Sequence, residues 1–192
     1  MAFFDQVIDP RWLTQQRAFS RDPWLAPPGN VVPARAADRG VFVRTNDIAV
    51  WLSLGDLYAD GLALALNVRW RTPRQVRTPL IPGDRGRNGL CLGAEFADGL
   101  RRLAVSRKAL APGSKPSPPT LLVTSWTAQE WQATAALWLW PLPERPVTWV
   151  VEWRSQRIAE THWVMDVEPL LSQVNQAEAL WPLEGSAEFA RT

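Results

Sequence analysis

From Val31 onward, apolar and polar residues alternate with a period of two. In "GLALALNVRWR", Leu62, Leu64, Leu66, Val68 and Trp70 fall on one face and Ala63, Ala65, Asn67, Arg69 and Arg71 on the other. That alternation predicts a half-buried antiparallel strand. "NDIAVWLSL" predicts its partner, with Ile48, Val50, Leu52 and Leu54 inward, and "GDLYADG" supplies the turn between them. "LCLGAEFADGLRRLAV" predicts a hairpin with Leu90, Leu92, Ala94 and Phe96 inward and Asp98-Gly99 reversing the chain. "LLVTSW" starts a further strand. "TAALWLW" and "VTWVVEW" predict two more, joined by "PLPERP", in which Pro141, Pro143 and Pro146 withhold amide donors and end the ladder. Alternation places Trp138 and Trp140 on one side of the first of these, and Val147, Trp149, Val151 and Trp153 on one side of the second. The pair is expected to form a hairpin with cross-strand aromatic contacts.

In "RIAETHWVMDVEPLLSQVNQAEALWP" the period becomes helical. Val167, Leu170, Leu171, Val174, Ala177 and Trp181 form an apolar stripe, which predicts a helix over 166–181 with Asp166 as cap, Glu168 in the first turn and Pro182 as the stop. Ahead of the strands, Phe3 with Phe4 and Trp12 with Phe19 form two aromatic clusters, and Asp9-Pro10 suits a helix start. The proline-stiffened "RDPWLAPPGN" follows. Residues 1–30 are therefore expected to form an arm that folds back onto the body through Trp12 and Trp24. Residues 72–89 and 111–120, rich in Pro and Gly, read as exposed loops, and no internal repeat is found. The expected fold is mainly β: an antiparallel immunoglobulin-like β-sandwich of about seven to nine strands over residues 31–182, with one C-terminal helix, an N-terminal arm and a tail at 183–192.

Composition narrows the function classes. A chain of 192 residues suits one domain, and 46% hydrophobic with 21% charged residues excludes wholesale disorder. No apolar run approaches the roughly 18 to 20 residues of a membrane helix. The start "MAFFDQVIDPRW" lacks the basic and apolar regions of an export signal, so a soluble, cytoplasmic protein with no membrane span is expected. Cys91 is the single cysteine, which excludes an intramolecular disulfide and a cysteine-based zinc site. Net charge is only +2, but it is unevenly spread. Residues 67–110 hold nine Arg and one Lys against Asp84, Glu95 and Asp98, a net +7, whereas residues 144–192 hold four Arg against eight acids, a net −4. Arg outnumbers Lys by 19 to two, Lys108 and Lys115 being the only lysines, which coding composition explains as readily as recognition does.

"WLWPLPERPVTWVVEW" followed by "IAETHWVMDVEPLLSQVNQAEALWP" resembles a set of bacterial proteins, mostly of high-GC Gram-positive type, that have no known activity. They carry a similar W-x-W-P-L-P, a hydrophobic strand, E-W, I-x-E-T and a terminal amphipathic helix ending in L-W-P. "LGAEFADGLR" is similar to a "GVEFADGR" stretch of that set, and "RTNDIAVWLSL…GLALALNVR" matches more loosely. The resemblance spans roughly residues 31 to 182. This chain departs from the set in having "TSWTAQEW" in place of a glycine-rich run, and in its aromatic arm. The resemblance implies a shared fold and supplies no catalytic residues.

His162, the only histidine, stands near Glu160 and Asp166; a base or metal ligand would need a second histidine or a nucleophile motif, and an edge-strand residue is the simpler reading. Cys91 between Leu90 and Leu92 reads as a structural thiol. Glu95 with Asp98, or Glu152 with Glu160, could pair for acid-base hydrolysis, but solvent-facing acids are routine on strands. "PGDRGRNG" lacks the lysine and helix of a phosphate loop. The Arg-rich stretch has charge for nucleic acid, but its one aromatic, Trp70, alternates inward. No cofactor is expected. The reading is a non-catalytic protein–protein interaction module, or an accessory subunit of a bacterial assembly, that engages a protein partner or itself. Its candidate interface is Trp12, Trp24, Trp138, Trp140, Arg74, Arg77, Arg85 and Arg87. A carbohydrate-binding sandwich with exposed tryptophans is the alternative, and a hydrolase using His162 with a carboxylate the third.

Overall fold

A computed structural model describes residues 22–73, 89–111 and 114–180. Two largely antiparallel sheets share one core, and the protein is mainly β. The larger sheet comprises β2 (Ala34–Arg35), β3 (Arg39–Arg44), β4 (Ile48–Tyr58), β5 (Gly61–Trp70), β8 (Val105–Ser106), β9 (Thr120–Ala128) and β10 (Gln132–Trp140). Its order is β2-β4-β5-β10-β9-β8, with β3 also pairing β4, and the β8–β9 contact is its one parallel pairing. The smaller sheet runs β12 (Ile158–Met165), β11 (Val147–Trp153), β6 (Cys91–Glu95), β7 (Arg101–Leu103). A short pair of β1 (Val31–Val32) with β13 (Glu178–Ala179) ties the two ends of the described chain together.

The period-two readings hold for β4 and β5, whose register sets Val50 opposite Val68 and Leu52 opposite Leu66, all buried. The β6–β7 hairpin also stands, with a different turn. Within this turn Gly99 takes a positive φ of 81°, Phe96 N–H donates to Leu100 O, and Asp98 Oδ1 accepts from Leu100 N–H. This is a three-residue connection with a left-handed glycine, not the two-residue turn that Asp-Gly suggested.

Three expectations are corrected. "TAALWLW" and "VTWVVEW" are strands, but they do not form a hairpin: β10 pairs β5 and β9 in the larger sheet, while β11 pairs β6 and β12 in the smaller one. The proline segment 141–146 is a corner between layers, since prolines that end one ladder leave the chain free to join another. "IAETHWVM" is an eight-residue edge strand, β12, and the helical period begins only after it. The helix expected over 166–181 is α1 (Glu168–Gln173) with a 3-10 turn at Val174–Gln176, because Ala177 returns to extended backbone and Glu178–Ala179 pair with β1. Five members of the apolar stripe face the core: Val167 and Leu170 are buried in it, and Leu171, Val174 and Ala177 pack against it. The cap position is Val167 and not the expected Asp166, although Asp166 Oδ1 accepts from Glu168 N–H at 3.1 Å. Trp181, Pro182, the tail and residues 1–21 lie outside the described residues.

Between the sheets, Trp149, Val147, Val151 and Trp153 from β11 meet Leu64, Leu66, Val68 and Trp70 from β5 in one continuous core. Trp70 and Trp153 cross edge to face at 6.4 Å between centroids. Trp163 of β12 lies flat over Gly40 of β3, where an added Cβ would strike the indole ring. Only glycine permits that approach, which closes one side of the sandwich.

Candidate functional site

β10 has two faces with different fates. Ala133, Ala135, Leu137 and Leu139 point into the core between the sheets. Trp138 and Trp140 point the other way, onto the outer face of the larger sheet, yet Trp138 is only 1% exposed. Its enclosure is local. Trp138 sits opposite Ala63 on β5 and Leu122 on β9, and Leu122 is fully buried. Tyr58 meets the indole edge to face at 5.6 Å. Gly61 lies beneath the ring, where a Cβ would overlap it. The indole N–H donates to Pro23 O at 2.8 Å, which anchors the segment "DPWL", itself turned by a Leu25 N–H bond to Asp22 O at 2.9 Å.

Tyr58 reaches this corner through a β-bulge. Strict alternation from Ile48 through Leu54 would turn position 58 inward, but the β4–β5 register shifts between Leu54 and Leu57. The extra residue sends Leu57 to the core and Tyr58 to the outer face, which is the re-aiming that bulges perform. Burial, reinforced by Asp56, pushes the Tyr58 hydroxyl pKa up. Asp60 closes the β4–β5 turn. Its backbone carbonyl accepts from Leu142 N–H at 3.2 Å, joining that turn to the proline corner, and burial raises its carboxyl pKa.

The rim of the corner is partly exposed. Trp24 and Trp140 meet at 5.9 Å between centroids with planes inclined by 62°. The Lys115 ammonium stands 5.1 Å from the Trp24 centroid and 5.4 Å from that of Trp140, within cation–π range of both. The structure thus brings together Trp24, Trp138 and Trp140 of the expected interface. Trp12, Arg74, Arg77, Arg85 and Arg87 lie outside the described residues. Sequence reasoning missed Tyr58, Gly61 and Lys115. Gly61 after the Asp60 turn and the scarcity of lysine were the available signals.

The geometry also bears on the other chemistries. His162 is half exposed on the outer face of the smaller sheet, with Nε2 2.9 Å from Glu160 Oε1. It lies opposite Val150 and lines no part of the cleft described next. That cleft, of about 460 Å³, opens between the β3–β4 turn and the β11–β12 connection, floored by Phe42, Ile48 and Ile158 and edged by Arg44 and Arg157. Burial raises the Cys91 thiol pKa, with a further push from Glu152, so the reactive thiolate is disfavoured. Among the described residues no group of three or more potential metal ligands converges. Of the described aromatic pairs, Trp24–Trp140 and Trp70–Trp153 are steeply inclined, at 62° and 69°, so neither offers the flat platform that stacking against a sugar requires. No helix among the described residues is long and apolar enough to cross a membrane.

No protein-family model matches the chain, and no curated protein or solved structure matches it. The chemistry of the corner is therefore taken from its geometry.

Proposed function

We propose that the chain is a non-catalytic protein-interaction module, an accessory subunit of a bacterial cytoplasmic assembly, and that the aromatic corner is where it takes hold of its partner. One observation carries this reading: Trp24 and Trp140 form a partly exposed pair over a base of buried Trp138, Tyr58 and Leu122. Tryptophans seated on a well-packed base are the residues that dominate binding energy at protein interfaces. The two antiparallel layers and the cross-sheet corner at 141–146 support the immunoglobulin-like reading of the fold, in which connections at the ends of a sandwich present binding residues. The resemblance to the bacterial set with the W-x-W-P-L-P segment fits, because that segment builds the corner.

The test is copurification from the source cells with tagged wild-type chain and with Trp140→Ala, followed by titration of the purified companion. A stoichiometric companion that binds wild type and loses about tenfold or more of its affinity with Trp140→Ala is expected, which is the effect of a hot spot of about 1.4 kcal/mol or larger. A companion retained equally by both, or none with either, contradicts the proposal.

A further inference from the structure

The Trp24–Trp140 pair already holds a ligand, and that ligand belongs to the same chain. Lys115 is exposed, and its ammonium lies over both indoles, at 5.1 and 5.4 Å from their centroids. It forms no ion pair with a carboxylate among the described residues. Among the described residues the ammonium is held by these two ring faces alone, and such a hold is weak, since an exposed cation–π contact is small and the group stays hydrated. The two indoles are fixed from below: Trp140 continues the strand that carries buried Trp138, and Trp24 follows Pro23, whose carbonyl takes the Trp138 N–H. A rigid two-walled aromatic cleft with a loosely held internal cation has the form of a binding site occupied by its own plug.

We infer that Trp24 and Trp140 form a cage for an alkylammonium group, that Lys115 occupies it in the free protein, and that a lysine side chain of the protein partner, bare or methylated, displaces Lys115 on binding. The resident group defines the class of ligand: a cation on an unbranched alkyl stem, entering between two ring faces. Methylation of the incoming ammonium would strengthen its capture, because a quaternary ammonium is less hydrated and loses less on leaving water for an aromatic cage. Lys115 then acts as an intramolecular competitor that lowers the affinity of every external cation by the same factor.

The inference rests on the interaction reading only for the source of the cation, because the cage itself is testable without any partner. The full chain, labelled with nitrogen-15, is titrated with n-butylammonium, n-butyltrimethylammonium and neutral n-butanol while the indole N–H resonances are followed. The Trp24 and Trp140 signals should move with the two cations, more with the quaternary one, and scarcely with the alcohol. The Trp138 signal, held by Pro23 O, should stay in place and report that the fold is intact. Lys115→Ala should tighten binding of both cations by about twofold to fivefold, the factor expected when a weak internal cation–π contact is removed. Trp140→Leu in the Lys115→Ala background should abolish it. Equal shifts with n-butanol would show an apolar patch and overturn the cage. So would an absence of shifts in folded Lys115→Ala at tens of millimolar cation. Either result would leave the copurification test of the interaction reading undisturbed.

Discussion

Trp149 and Trp138 are both almost completely enclosed, in opposite ways. Trp149 is covered by the opposing sheet as part of the continuous core. Trp138 is covered by a turn, a tyrosine and a segment more than a hundred positions earlier, on a face that no second sheet among the described residues protects. The difference extends to their polar atoms. The Trp149 indole N–H has no acceptor among the described residues, whereas that of Trp138 donates to Pro23 O at 2.8 Å. A ring buried by layer packing is held by its apolar neighbours, whose packing outweighs the cost of an indole N–H left without a protein acceptor. One buried by a folded-back segment uses its hydrogen bond to hold the cover in place.

The largest expected effect is on the layer-packed side. Trp149→Ala should cost about 3 to 5 kcal/mol, the range for deleting a buried aromatic, read as a lowered midpoint in urea unfolding. Gly61→Ala should follow at about 1 to 3 kcal/mol, since the added methyl overlaps both the Trp138 ring and the Leu139 carbonyl oxygen. Part of that cost should disappear in a Trp138→Leu background, and a double-mutant cycle that shows no coupling would contradict the packing described here.

The sharpest contrast comes from conservative changes. Trp149→Phe loses ring volume and no hydrogen bond. Trp138→Phe loses ring volume and the bond to Pro23, so it should be the costlier of the two by about 1 kcal/mol and should speed amide exchange at Leu25. If the two phenylalanine variants are equally stable and Leu25 stays protected, the hydrogen bond does not hold the cover.

The smallest effect is electrostatic. Burial raises the Asp60 carboxyl pKa, so the protonated form is the one the fold prefers. Asp60 therefore supports the fold fully below its unfolded pKa, and that support is lost as pH rises through the raised folded value. Asp60→Asn should be slightly more stable than wild type at neutral pH and should flatten the fall in stability across that interval, as followed by thermal unfolding in a pH series.

The sequence disclosed the layer-packed half of this comparison far better than the other. Leu62 to Trp70 and Val147 to Trp153 obey strict alternation, which assigns faces directly, and every inward assignment in those two runs is buried. Three features lay beyond that rule. Alternation gives faces but not partners, so 137–153 read as a hairpin although its strands belong to different sheets. The segment "GDLYADG" read as the turn, but β4 runs on to Tyr58 and only Ala59-Asp60 reverse the chain, while a bulge within that extension turns Tyr58 to the outer face, which hid it. The helical stripe at 167–177 was readable, but backbone pairing of Glu178–Ala179 with Val31–Val32 is a long-range event that ends the helix early without local warning. The corner itself joins residues 23, 58, 115 and 138, and no local pattern announces such a meeting.

The central claim, which is that of the proposed function, is that the rim tryptophans Trp24 and Trp140 serve a partner while buried Trp138 and the inter-sheet tryptophans serve the fold. Its most direct test is photocrosslinking in the source cells from a benzoylphenylalanine placed at Ser117, an exposed residue beside the corner whose replacement leaves Trp24 and Trp140 intact, with the same group at Trp131, an exposed residue at the far end of the strand, as the matched control. The account predicts one discrete protein adduct from position 117, lost with Trp140→Ala and absent from position 131. The same adducts from both positions, or none from position 117 in a folded chain, would contradict it.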